Sequence, residues 1–85
     1  MKRILHILRR KDDPVPLEII QAQSESNELV IILIQDAVGL ELKGVKGKVF
    51  ALADDLKGVE TPAHPPISYK EMLGYILESE SVVTW

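Results

Sequence analysis

The sequence predicts an α/β fold: a small open, mainly parallel four-stranded sheet with helices on both faces. Three observations predict it. Short apolar runs alternate with helical patterns along all 85 residues. Residues 29–34 are six consecutive apolar positions, four of them β-branched, which suits a central strand covered above and below. The helix-start signals fall between the apolar runs, so each strand is followed by a crossover and the sheet is expected to be parallel with right-handed connections.

The elements follow in order. Ile4, Leu5, Ile7 and Leu8 form the first strand, closed by the charged block Arg9, Arg10, Lys11, Asp12 and Asp13. Asp13 suits an N-cap before Pro14, because a proline in the first helical turn removes an N–H that has no partner there. That helix should reach about Ser24, with Val15, Pro16, Leu17, Ile19 and Ile20 on its packed side and Glu18, Gln21 and Glu25 in water. After the central strand, Gln35, Asp36, Ala37, Val38 and Gly39 read as a strand end feeding a short helix with Asp36 available as its cap. Gly44 and Gly47 bound its exit.

Val49, Phe50, Ala51, Leu52 and Ala53 make a third strand that stops at Asp54 and Asp55. A loop follows from Thr61, since Pro62, Pro65 and Pro66 remove the donors a helix or ladder needs. Ser68 and Glu71 form a capping box, the strongest local signal in the chain. Tyr69, Met72, Leu73, Ile76 and Leu77 then stand at helical spacing as one apolar stripe. Tyr75, beside Gly74, falls roughly 130° from the centre of that stripe, on a face expected to turn outward. A last strand covers Ser81, Val82, Val83, Thr84 and Trp85. The chain reads as a single domain over 1–85, without internal repeats.

Composition excludes several chemistries. There is no cysteine, so the chain offers no thiolate nucleophile, no cysteine-held zinc or iron–sulfur cluster, and no sulfur atom on which to carry a persulfide. Ten basic against thirteen acidic residues leave a net charge of −3, which argues against direct nucleic-acid binding. The longest apolar run is six residues where a spanning helix needs about 20, so no membrane association is expected. The basic start at Lys2 and Arg3 is followed by a run broken at His6 and ended at Arg9, unlike a signal peptide, and the expected location is cytoplasmic.

In an open parallel sheet, ligands and partners meet the C-terminal ends of the strands. That edge should collect Arg9 and Arg10, Gln35 and Asp36, Asp54 and Asp55, and Trp85. Asp36 suits a helix cap or a partner contact, Asp54 and Asp55 a turn or a cation pair, and Trp85 a sheet-edge cover or an interface anchor. His6 and His64 lack neighbouring ligands and are read as structural or solvent-exposed. The candidate partner-binding residues are Gln35, Asp36, Trp85, Gly74 and Tyr75; no catalytic, cofactor or metal residue is assigned.

Four segments also resemble one family. Leu33, Ile34, Gln35, Asp36, Ala37 and Val38 are similar to the LLQDGV segment of the TusB/DsrH proteins, small members of the DsrEFH-like sulfur-relay group. Residues 49–56 (VFALADDL) resemble that family's VYALEEDL stretch, residues 67–77 its ISYEEFVDLT helix, and Val83, Thr84 and Trp85 its V-x-SW ending. The resemblance spans 5–85 and implies the DsrEFH-like fold, TusC/DsrF-like and TusD/DsrE-like partner subunits, and persulfide transfer toward tRNA wobble-uridine thiolation or sulfur oxidation. Some relatives carry a cysteine after the first strand; the matching loop here, 9–16, has none, which implies a non-catalytic, positioning subunit. Two other readings use the same residues. Asp36, Asp54 and Asp55 at strand ends fit a small Mg²⁺-dependent, receiver-like site, and a thin core without a staple fits a stand-alone homo-oligomeric module.

Overall fold

The computed structural model describes residues 2–42, 44–59 and 62–85. Its centre is β2 (Glu28–Leu33), in which the five residues after Glu28 are all buried, as an unbroken apolar run requires. β1 (Arg3–Leu8) and β3 (Lys48–Leu52) flank it in parallel, with Leu5 opposite Val30 and Ile32 opposite Phe50. β4 (Pro66–Ile67) extends the sheet beyond β3, and β5 (Ser81–Thr84) pairs with the other side of β1. The order is β4-β3-β2-β1-β5, all parallel.

Among the described residues the sheet thus has five strands rather than four. The additional one lies in the proline-rich segment read as loop. An edge strand needs donors on one side only, so Pro66 is tolerated there, and Ala51 donates its N–H to the Pro65 carbonyl at 3.0 Å to open the pairing. Thr61, the predicted start of that loop, lies outside the described residues.

Two helices cover opposite faces. α1 (Val15–Gln23) places Ile20 against Ile4, Leu8, Leu29, Ile31 and Leu33. Asp13 Oδ1 accepts from the Val15 N–H at 3.1 Å, a cap-like bond one residue before the helical backbone of Pro14. α2 (Tyr69–Glu78) places Met72 against Leu5, Ile7, Val30 and Ile32. Its capping box is complete, with Glu71 N–H donating to Ser68 Oγ and Ser68 N–H donating to the Glu71 carboxylate, both at 3.1 Å.

Three helix-face expectations are corrected. Val15 and Ile19, expected on the packed side of α1, stand exposed at 48% and 37%, and only Pro16 and Ile20 of that helix are buried. Only Met72 of the α2 stripe is buried and Ile76 packs beside it, whereas Tyr69, Leu73 and Leu77 stand exposed, Leu77 at 85%. Tyr75 turns inward instead: its ring meets Phe50 of β3 with centroids 5.4 Å apart. That aromatic pair rotates the packed arc of α2 toward β3, and the far flank of the helix keeps its apolar side chains in water.

Candidate functional site

The C-terminal ends of β1, β2, β3 and β5 form the edge where the sequence placed its candidates. After β2 the chain passes through Ile34 into a 3-10 turn, Gln35–Gly39, that buries Ala37 and Val38. Gln35 has φ 51°, a left-handed conformation that costs a residue with a Cβ on the order of 1 kcal/mol. Its N–H donates to Asp55 Oδ2 at 2.8 Å, from the 3-10 turn Ala53–Asp55 that ends β3. The Asp55 carboxylate therefore fixes the unusual backbone at the end of the neighbouring strand. Asp36 caps nothing: the turn has no side-chain cap, and this correction leaves an exposed carboxylate on its outer surface. It is free of the capping duty expected of it.

At the other side of the edge, Trp85 continues β5 and donates its N–H to Ile7 C=O at 2.9 Å. Its indole Nε1–H donates to His6 Nδ1 at 3.0 Å, with the two rings stacked at 6.1 Å. Indole nitrogen only donates, so Nδ1 is the acceptor and the His6 proton sits on Nε2, which donates to Gln23 Oε1 of α1 at 2.7 Å. His6 is 0% exposed, and burial holds its pKa below the ordinary imidazole value despite the Gln23 bond, which raises it. Its neutral ring ties the middle of β1 to both α1 and Trp85. His64 is also used structurally, its Nε2 accepting from the Leu42 N–H at 2.9 Å.

A narrow slot opens between the β1–α1 loop and Trp85. Leu8, Pro16, Leu17, Leu40 and the indole supply apolar walls, while Arg10 and Lys11 supply two cations against the one carboxylate of Asp13, whose Oδ1 is engaged by the Val15 N–H. Arg9 beside it donates Nε–H to the Trp85 carbonyl at 2.8 Å. Such a slot suits an apolar group that ends in a negative charge. It contains no thiol and no paired carboxylates.

The predicted partner residues separate into two places. Gln35, Asp36 and Trp85 lie on the C-terminal edge. Gly74 and Tyr75 lie on the α2 face, in a polar groove with Arg3, Lys48, Glu71 and Glu78. There Arg3 bridges Glu28 at 3.1 Å and Glu78 at 3.2 Å, and the Glu28 carboxylate first, with Glu78 adding to it, raises the pKa of the guanidinium further. Among the described residues, no three His, Cys, Asp or Glu side chains come together as a cation site; Asp36, Asp54 and Asp55 do not converge, and Asp55 serves Gln35. Sequence reasoning missed the His6–Trp85–Gln23 link. The signal was present, since His6 alternates in register with Ile4 and Leu8, whose side chains share its face.

Fold and edge define a small α/β protein with an open parallel sheet and a thiol-free, hydrogen-bond-stiffened C-terminal rim. No family model matches the chain, and no curated protein matches it. Among solved structures, the chain is similar to the ychN protein from E. coli, with a TM-score of 0.75 at 15% identity over 100% of both chains. At that identity the likeness is one of fold, and it extends from the first strand to the last. Among the described residues no helix is long and apolar enough to cross a membrane.

Proposed function

We propose that this chain is a non-catalytic subunit of a cytoplasmic sulfur-relay complex of the TusB/DsrH type. It positions TusC/DsrF-like and TusD/DsrE-like subunits while they pass persulfide sulfur, toward tRNA wobble-uridine thiolation or in sulfur oxidation. The observation that carries this reading is the bond from Gln35 N–H to Asp55. It joins two of the four family-like segments, LIQDAV and VFALADDL, into one rigid rim on a chain with no cysteine. A rim that is stiff, polar and without a nucleophile suits docking rather than chemistry. Asp36, exposed beside it, presents its carboxylate to a partner, and the basic slot under Trp85 accepts an acidic or anionic group from one.

The test has two arms. Tagged protein purified from its own host should bring down two chains of related fold, and Asp36→Arg should lose them while melting at the same temperature as the wild type. Incubated alone with a radiolabelled persulfide donor, the chain should take up no label, since a mixed disulfide or persulfide needs a thiol. Stable labelling of this chain, or recovery of no partner in the first arm, overturns the reading.

A further inference from the structure

The two edges of the sheet differ. β4 is two residues long and begins with Pro66, both features that discourage a further strand from adding. β5 reads Ser81, Val82, Val83, Thr84, with neither proline nor charge, and among the described residues no strand lies on its outer side. Ser81 stands opposite Ile4 and Trp85 N–H binds Ile7 C=O, so residues 81, 83 and 85 turn their peptide groups toward β1. The peptide groups of Val82 and Thr84 face outward.

The surface beside that edge is apolar. Val82 is 42% exposed and shares the sheet face of its neighbour Leu5, the face covered by α2. Because Tyr75 turns toward Phe50 of β3, the exposed Tyr69, Leu73 and Leu77 climb the flank of α2 turned away from β3, on the side of β1 and β5. An open strand edge and an apolar helix flank therefore stand on the same side of the sheet.

We propose that β5 pairs with β5 of a second copy of this chain, antiparallel about a two-fold axis at Val83, to make a continuous ten-stranded sheet. Three observations select a second copy. First, the outward groups of Val82 and Thr84 answer those of Thr84 and Val82 in the other copy, the reciprocity that a two-fold interface requires. Second, the same register sets Val82 opposite Thr84 and Ser81 opposite Trp85, so no charged side chain meets its like across the axis. Third, the axis stands across the sheet, so both α2 helices lie on one side and their Leu73 and Leu77 flanks close over a floor made by the two Val82 side chains.

Light scattering, cross-linking and amide exchange test this together on the full chain. At micromolar concentration the protein should have twice its monomer mass, and Val82→Lys with Leu77→Glu should halve that mass while preserving the circular dichroism spectrum. The absence of native cysteine makes Val83→Cys informative: a residue pair on the axis sits at a Cα separation of about 4.5 Å, within disulfide reach. Mild oxidation should link Val83→Cys into a dimer, and adding Val82→Lys should abolish the link. The wild-type amides of Val82 and Thr84 should exchange slowly when concentrated and at least ten-fold faster on dilution, a readout that needs no substitution. A wild-type monomer overturns the proposal, including one whose edge fills only when a related chain or a peptide strand is added. So does a dimer whose mass ignores Val82→Lys, or amide exchange that is fast at every concentration.

Discussion

On one face of the sheet Ile4, Leu8, Leu29, Ile31 and Leu33 lie under α1, with Ala37 and Val38 of the first 3-10 turn and the partly buried Leu40, Val59 and Trp85 completing the cover. On the other, Leu5, Ile7, Val30 and Ile32 meet one helix, which buries Met72, packs the partly buried Tyr75 and Ile76 beside it and carries Tyr69, Leu73 and Leu77 outside. The first face is the more fully closed within the chain, down to a hydrogen bond for each nitrogen of its buried histidine, although Val15 and Ile19 on the outer side of α1 stay exposed. The second is covered but not sealed. Substitutions on the first face should therefore act on folding, and those on the outer flank of the second on association.

The largest effect is expected at the centre of the more closed face. Leu33→Ala removes a fully buried side chain from the middle strand and should cost about 2–5 kcal/mol in urea unfolding, the range for large-to-small changes in a tight core. A loss below 1 kcal/mol would mean that this face is looser than its packing indicates.

Trp85→Phe keeps a ring but deletes the N–H that satisfies His6 Nδ1. A buried acceptor left alone costs about 1–3 kcal/mol, and thermal unfolding should show it. The same residue predicts a pH response. The folded-state pKa of His6 is lowered, so the unfolded chain binds the proton more readily; this contribution is complete above the ordinary value of about 6.5 and is lost as pH falls through it toward the folded value. Acidification from neutral should lower the melting temperature, and His6→Asn should flatten that slope.

Smaller again is the α2 start. Ser68→Ala breaks the capping box and should cost about 1 kcal/mol by the same unfolding assay. The smallest effect marks the unsealed flank: Leu77→Ala should change monomer stability by less than about 0.5 kcal/mol. Its consequence belongs to dimer mass instead. A large monomer destabilisation at Leu77 would erase the contrast between the two faces.

Strands were the most legible part of the sequence because each main strand reads locally. Residues 29–34 announce a two-sided strand by themselves, and the Ser68–Glu71 pair announces a helix start. β4 was hidden because two residues show no alternation and proline argues against a ladder, a rule that an edge relaxes. The outward reading of Tyr75 failed for a longer-range reason. A helical wheel centres the buried arc on the largest apolar cluster of its own helix, whereas Phe50, on another strand, decides which side of α2 is drawn down. In the rim, sequence placed Gln35, Asp36, Asp55 and Trp85 together through topology. It did not show that Asp55 reaches back across twenty residues to hold Gln35, since that bond depends on two turns adopting their final shapes at once.

The strand order carries a kinetic consequence. Strands β1 to β4 add outward one after another, but β5 returns past all of them to lie beside β1, so Ser81 pairs with Ile4. Contacts between residues so far apart gain nothing until almost the whole chain is gathered, and the loop-closure entropy is met before they repay it. Assembly from β2 outward can proceed on nearer pairings, while the exposed side of β1 waits for the crossover through α2. Folding of this small protein should accordingly be slow for its length, and its transition state should contain β1, β2 and β3 with β5 still undocked. Substitutions at Val82 or Val83 would then alter the unfolding rate far more than the folding rate.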